Sequence, residues 1–285
     1  MNPRRTHFVT ILSLLVGLTT AAFAAQPAQG QKQAKPMLRS TVFKWDDLAV
    51  KTTPNGERRD VANHATPTLD VFECHITTLN PGKASHAPHR HPQEELIIVK
   101  DGTLEVHING QTQRAGAGSV FFYASNDAHA VTNVGDTRAT YWVINLASAA
   151  THDASKHNAK PTRTSAVFDW TKMPVQPTKV GERREVLKGS TVTLESLTCH
   201  VTSVRAGDAL HGAHRHPDDE IVIVKEGTME FLINDQVQQA GPGSVSLLTS
   251  NDLHGFRNVG TTPAAYYVIR LVTAATPKAP PAAKK

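Results

Sequence analysis

HAPHRHPQEELIIVKDGTLEVHING, residues 86–110, decides how this chain is read, because it returns as HGAHRHPDDEIVIVKEGTMEFLIND at residues 211–235. The same offset of 125 residues carries GERRDV (56–61) onto GERREV (181–186) and SNDAHAVTNVG (125–135) onto SNDLHGFRNVG (250–260). No insertion or deletion interrupts the match from Phe43 to Ile144, and about half of the paired positions are identical. A period this long exceeds that of solenoid units, so each copy is expected to fold as a domain. The expected division is a signal segment at 1–24, a flexible N-terminal segment at 25–40, a first domain at 41–147, a linker at 148–164, a second domain at 165–272 and a disordered tail at 273–285. The linker and both end segments are rich in Ala, Pro, Lys and small polar residues.

Within each copy the apolar residues alternate. Phe72, Cys74 and Ile76 share one strand face, and Val71 and Glu73 the other. Leu104, Val106 and Ile108 alternate with Glu105 and His107, as a half-buried strand requires. Asp101-Gly102 reads as a hairpin turn between two short strands. No apolar pattern of period 3.6 persists for three turns after the signal segment. The expected class is all-β, two tandem antiparallel barrels related by internal duplication.

The first 24 residues carry a basic start, MNPRRTH, an apolar run, FVTILSLLVGLTTAA, and a small-x-small end, AFA, before Ala25. That is the pattern of a removable secretory signal, so the chain is expected to be exported, periplasmic or extracellular, with no stable membrane span after signal removal. The net charge of +5 comes mostly from the ends. Without a Lys/Arg stripe interleaved with aromatics, nucleic acid is not an expected partner. Cys74 and Cys199 are expected to be small buried residues, although export leaves a bridge between them open.

The histidines carry the chemistry. His89 and His91 share a strand face, and Glu95 rejoins it if the strand continues through Pro92. His129 comes from a later strand that antiparallel pairing can bring alongside. Three imidazoles and a carboxylate form a mixed nitrogen and oxygen donor set for a divalent transition metal with open positions. The second copy repeats the set as His214, His216, Glu220 and His254. Glu94 and Asp127 are weak candidates for a catalytic proton donor, and Glu94 and Asp219 could be rim charges, or the true carboxylate ligands if the strand kinks. His75 and His200 are expected to hydrogen-bond in the core or behind the ligands, and His86 and His211 to sit at the rim. GERRDV and GERREV read as solvated turns or interface ion pairs, with a carboxylate clamp as the sharper alternative. Asn133 and Asn258 are expected to hold turns. The changes from Val131 and Trp142 to Phe256 and Tyr267 suggest pockets of different preference.

The pattern His-x-His-x3-Glu-x6-Gly followed by His-x3-Asn resembles the two motifs of the cupin family. It runs through His89, His91, Glu95, Gly102, His129 and Asn133, and again through His214, His216, Glu220, Gly227, His254 and Asn258. The usual Pro-x-Gly before the second-motif histidine is replaced, within ASNDAH and TSNDLH. The resemblance implies jelly-roll barrels and up to one metal per domain, manganese or iron favoured, with nickel, copper or zinc as alternatives. It implies a small-molecule substrate or ligand, and either a homo-oligomer or a monomer with internally paired barrels. The leading expectation is an oxidoreductase or decarboxylase-like enzyme acting on a small organic acid or enol. A non-enzymatic small-molecule or metal binder and a hydrolase or isomerase are the alternatives.

Overall fold

The computed structural model describes residues 37–157 and 163–278. The expected signal segment, residues 25–36, part of the linker and the end of the tail lie outside the described residues. Among the described residues the chain is all-β, with two seven-stranded and two three-stranded sheets.

In the first copy the strand Glu94–Asp101 pairs with Val120–Tyr123 on one side and Ala139–Ala147 on the other. Ala139–Ala147 continues the sheet through Val71–Leu79 to Gly56–His64. A facing sheet of Thr103–Ile108, Gln111–Gly116 and His129–Asn133 completes the jelly roll. The second copy repeats this with Asp219–Glu226, Val245–Leu248, Ala264–Val272, Ser196–Val204 and Gly181–Gly189 against Met229–Ile233, Gln236–Ala240 and His254–Asn258.

Asp101-Gly102 is not a hairpin. The strands on either side of it belong to different sheets, so this is the corner where the chain crosses from one wall of the barrel to the other. Gly102 has φ +87, and a Cβ there would come within 2.6 Å of the Ala139 side chain, so neither the bend nor the packing admits another residue without strain. The true hairpin follows at Asn109-Gly110, with φ 47 and 83, joining Thr103–Ile108 to Gln111–Gly116. Positive φ at both central residues is what a two-residue hairpin turn matching strand twist demands.

The outer faces of the two large sheets pack on each other. Phe72, Cys74, Ile76, Leu96 and Trp142 from one copy share a continuous core with Leu197, Cys199, Ile221, Tyr267 and Ile269 from the other. Both cysteines are free and buried in that core. Trp142 Nε1 donates to the Gly243 carbonyl at 3.2 Å, and Tyr267 Oη donates to the Gly118 carbonyl at 3.0 Å. These two aromatics therefore belong to the seam between barrels, and their difference does not tune the pockets. Separate apolar clusters, around Leu104, Val106 and Phe121 and around Met229, Phe231 and Phe256, fill the two barrel interiors.

The copies also exchange strands. Thr41–Phe43 pairs with Val245–Leu248 of the second copy, and Ala166–Phe168 pairs with Val120–Tyr123 of the first. Trp45 and Trp170, just after these strands, lie over Gly243 and Gly118, where a Cβ would sit 2.3 and 2.6 Å from indole carbons. The Arg59 and Arg184 guanidinium groups lie over the Trp45 and Trp170 rings at 4.4 and 4.3 Å. GERRDV and GERREV thus lie on strands, and their second arginines pin the exchanged arms. The expected flexible segment ends in docked chain, with Leu38 N bonded to the Ala65 carbonyl at 2.8 Å. The linker begins with the helix Ala149–His157, too short for a three-turn pattern, which buries Thr151 and Ala154.

Candidate metal centres

His89 lies before its regular strand, in an isolated antiparallel bridge with His129. The bridge amides donate reciprocally, His89 N to the His129 carbonyl at 3.1 Å and His129 N to the His89 carbonyl at 3.0 Å. His214 and His254 repeat the bridge at 2.8 and 3.0 Å. Alternation brings His91 to the same side, and Glu95 returns to it at the start of the strand. In each barrel one donor atom from each of the three imidazoles lies within 4.8 Å of the others. Glu95 stands 3.4 Å from His91 Nε2 and 3.8 Å from His129 Nε2, and Glu220 stands 3.1 Å from His216 Nε2.

Backbone carbonyls set the tautomers. Nδ1 of His91 donates to the Gln93 carbonyl at 3.1 Å, and Nδ1 of His129 donates to that of Asp127 at 2.9 Å. His216 and His254 do the same to Asp218 and Asp252, each at 2.9 Å. A carbonyl only accepts, so the proton rests on Nδ1. In His91, His129 and His254 Nε2 offers its lone pair inward, whereas His216 Nε2 is hydrogen-bonded to the Glu220 carboxylate at 3.1 Å. The Nε2 atoms of His129 and His254 are buried with no hydrogen-bond partner among the described residues. An orphaned buried acceptor costs about 1–3 kcal/mol unless something occupies it. The donor set, its tautomers and these orphan nitrogens together fit a divalent transition metal.

The bend before His129 keeps its shape without Pro-x-Gly. Asn126 and Asn251 take φ of 65 and 63, the left-handed conformation that asparagine tolerates best after glycine.

The two cavities differ in chemistry. The first, about 740 Å³, is lined by the four candidate ligands and by Glu73, His75, Tyr123 and Asn145. Tyr123 stacks on His129 at 4.2 Å, and its hydroxyl is buried without a partner among the described residues. In the second, about 630 Å³, Arg270 stands where Asn145 stands in the first. Its guanidinium grips Asp218 through two bonds of 2.7 and 2.9 Å and lies 3.9 Å from Glu220. Burial disfavours charge on both His216 and Asp218. For His216 the hydrogen bonds to Asp218 and Glu220 outweigh burial and the opposing Arg270 charge, raising it to about 9. For Asp218 the hydrogen bonds from His216 and Arg270 hold it far below the usual carboxylate range. Burial lowers His89, His129, His214 and His254, keeping those rings neutral.

Other expectations sort by strand face. Glu94 points away from the cavity into the seam, 1% exposed, where it accepts from Thr191 and Thr193 hydroxyls at 2.6 Å each and from the Val192 amide at 2.9 Å. It is neither a rim charge nor placed to give a proton to anything in the barrel. Asp219 does the mirror-image work with Thr66 and Thr68. The Asp127 carboxylate accepts from Ser165 at 2.6 Å, bracing the loop that holds His129. His86 and His211 sit edge-on to His89 and His214 at 4.1 and 4.4 Å, at the exposed rim. Asn133 holds a turn, donating to the Leu79 and Thr137 carbonyls and accepting from Gly135 N. Sequence reading missed Glu73, Asn145, Asp218 and Arg270. The signal was there for Glu73, two residues before a recurrent histidine and therefore on its face.

The cupin-domain family model matches residues 75–145 and again 200–270. No curated protein matches the sequence significantly. Among solved structures, the Lactobacillus farciminis oxalate decarboxylase formate complex aligns with TM-score 0.64 and 12% identity over 84% of this chain and 88% of that one. The Bacillus subtilis oxalate decarboxylase, a protein with Mn(II) centres, aligns with TM-score 0.62 and 14% identity over 85% and 80%. AerE from Microcystis aeruginosa aligns with TM-score 0.60 and 14% identity over 82% and 97%. At such identities the likeness is one of fold. With both motifs in each barrel and the family model matched twice, the chain belongs to the cupins, as a two-domain member.

Proposed function

We propose that each barrel binds one divalent transition metal, through His89, His91, Glu95 and His129 in the first and His214, His216, Glu220 and His254 in the second. The reading continues that the first barrel is a metal-dependent oxidoreductase or decarboxylase-like site for a small organic acid or enol, working in an exported protein. The observation that carries it is the set of inward lone pairs, with one buried Nε2 in each barrel, of His129 and of His254, lacking a partner among the described residues, and that of His129 opening on a cavity of about 740 Å³. That volume suits a small metabolite. A bound metal would act as a Lewis acid on the substrate's oxygens. The chain's own contribution is to hold four donors aimed at one point, to seat the substrate against Tyr123 and His129, and to exclude water with the apolar barrel wall. Manganese leads among the metals, supported by the Mn(II) centres of the Bacillus subtilis neighbour.

A holding role is favoured for the second barrel by the Asp218–Arg270 ion pair within its site. The test is metal analysis of the purified chain, then assays of oxygen uptake and carbon dioxide release with oxalate and a series of small oxo and enol acids. Two metal equivalents and turnover that disappears in the His129→Ala variant support the reading. A chain that retains no metal overturns it.

A further inference from the structure

Glu73 and His75 lie two residues apart on the strand Val71–Leu79, so both side chains enter the first cavity. His75 Nδ1 lies 2.7 Å from Glu73 Oε1. The carboxylate is itself held by Asn145 Nδ2 at 3.0 Å and by Arg58 Nη2 at 3.1 Å. Burial pushes the Glu73 carboxyl up, but the His75 and Asn145 hydrogen bonds and the Arg58 charge prevail, and it stays below its ordinary value. An ionised carboxylate can only accept, so the His75 proton rests on Nδ1 and Nε2 presents a lone pair. That nitrogen has no hydrogen-bond partner among the described residues.

Strand register puts the pair two strands across the sheet from the candidate ligand Glu95. Glu95, Asn145 and Glu73 lie side by side on three neighbouring strands, and Ile97, Val143 and His75 form the next row. With strands about 4.8 Å apart, His75 stands roughly 10 Å from the Glu95 strand, a gap that a small acid lying on the cavity floor would span. The second barrel supplies a built-in contrast. His200 keeps the histidine, but Thr198 replaces Glu73 and Arg270 replaces Asn145, and no carboxylate among the described residues is hydrogen-bonded to the ring.

We infer that Glu73 and His75 form an acid–base dyad of the first barrel, Glu73 as the positioning residue, whose substrate is a small oxo acid with an ionisable C–H beside its carbonyl. His75 Nε2 takes that proton, the C–H electron pair moves into the enolate, and the resulting imidazolium is stabilised by Glu73. Return of the proton to carbon regenerates neutral His75, so the step is balanced and needs no further reactant. The inference rests on the proposed metal-dependent reading of the same cavity.

The test is deuterium exchange from D2O into the methyl group of pyruvate, followed by proton NMR on the zinc-loaded chain. The intact chain is expected to exchange it, His75→Asn to lower the rate about 100-fold or more, and His200→Asn to leave it unchanged. Nitrogen NMR is expected to show His75 as the Nδ1–H tautomer. Glu73→Gln should release that tautomer and slow exchange about tenfold or more without loss of bound zinc. No exchange by the intact zinc-loaded chain, or equal rates in His75→Asn, overturns the dyad while leaving metal binding standing. Failure to take up zinc at all would instead overturn the reading on which the dyad rests, and the dyad with it.

Discussion

Ser40 Oγ donates a 2.6 Å hydrogen bond to Oδ2 of Asp252, a residue 212 positions further along the chain. The same hydroxyl oxygen accepts from the Thr249 amide at 2.7 Å, and the Asp252 carbonyl holds Nδ1 of the candidate ligand His254. An arm from before the first barrel therefore braces a metal-site loop in the second. Ser165 does the same for Asp127 in the first, with bonds of 2.6 Å to its carboxylate and 2.8 Å from the Ala124 amide.

Ser40→Ala is expected to cost about 1.5–3 kcal/mol, the range for a hydrogen bond to a charged group. It should also weaken metal binding in the second barrel by about tenfold, because the support behind a ligand is lost. Ser165→Ala should do the same to the first barrel alone. Denaturant unfolding and metal titration of the two variants check the pairing, and a loss that fell on the barrel nearer in sequence would contradict the strand exchange.

Glu94 makes a second prediction, because it sits beside Glu95 in sequence and serves another purpose. Removing its carboxylate would strand two hydroxyls and two backbone amides in the seam. Glu94→Ala should therefore destabilise the chain by about 3 kcal/mol, while Glu94→Gln, which still accepts, should cost less. Neither should change the metal content per folded chain. A variant that folds normally but loses turnover in the first barrel would restore Glu94 as a catalytic group.

The duplication made most of this legible. Two divergent copies that keep three histidines and a glutamate pointed to the ligand set, and alternation placed Phe72, Cys74 and Ile76 together on one face, which in the structure packs in the seam. What escaped depends on direction rather than on residue type. Asp101-Gly102 and Asn109-Gly110 carry similar turn chemistry, yet only the second closes a hairpin, because the next strand at Gly102 pairs across the barrel with Gln111–Gly116 and His129–Asn133. Trp142 looked like a pocket residue because a single strand pattern does not say which face meets the second barrel. Arg270 escaped because its significance lies in reaching Asp218, in the bend just before the neighbouring strand Asp219–Glu226, and no local pattern encodes that approach.

His200 supplies a pH dependence with a definite sign. Burial and the Arg183 charge push it from 6.5 down to about 4, with Glu185 and Glu220 opposing and Arg270 adding to the shift. The unfolded chain binds that proton more readily than the folded one, so the contribution to stability is complete above about pH 6.5. It fades as pH falls toward 4, by about 3 kcal/mol at most. Urea unfolding between pH 4 and 7 should show a steeper loss for the intact chain than for His200→Asn. Parallel curves would mean that His200 is already protonated in the fold or equally exposed in both states.

Metal removal gives the last expectation. Folded barrels present His129 and His254 with bare Nε2 atoms already buried, whereas the unfolded chain has no such sites, so the ion should bind the fold selectively. At a free concentration 100 times Kd, each site would add about 2.7 kcal/mol. A chelator should lower Tm, and readdition of manganese should restore it. His129→Ala and His254→Ala should each remove one equivalent and part of the gain, and the double variant should be indifferent to the chelator. Because the barrels share one apolar seam, each single variant is expected to unfold in one transition, its intact site still adding stability to the whole. Two separate transitions would show that the seam does not couple the barrels and that each ion stabilises only its own.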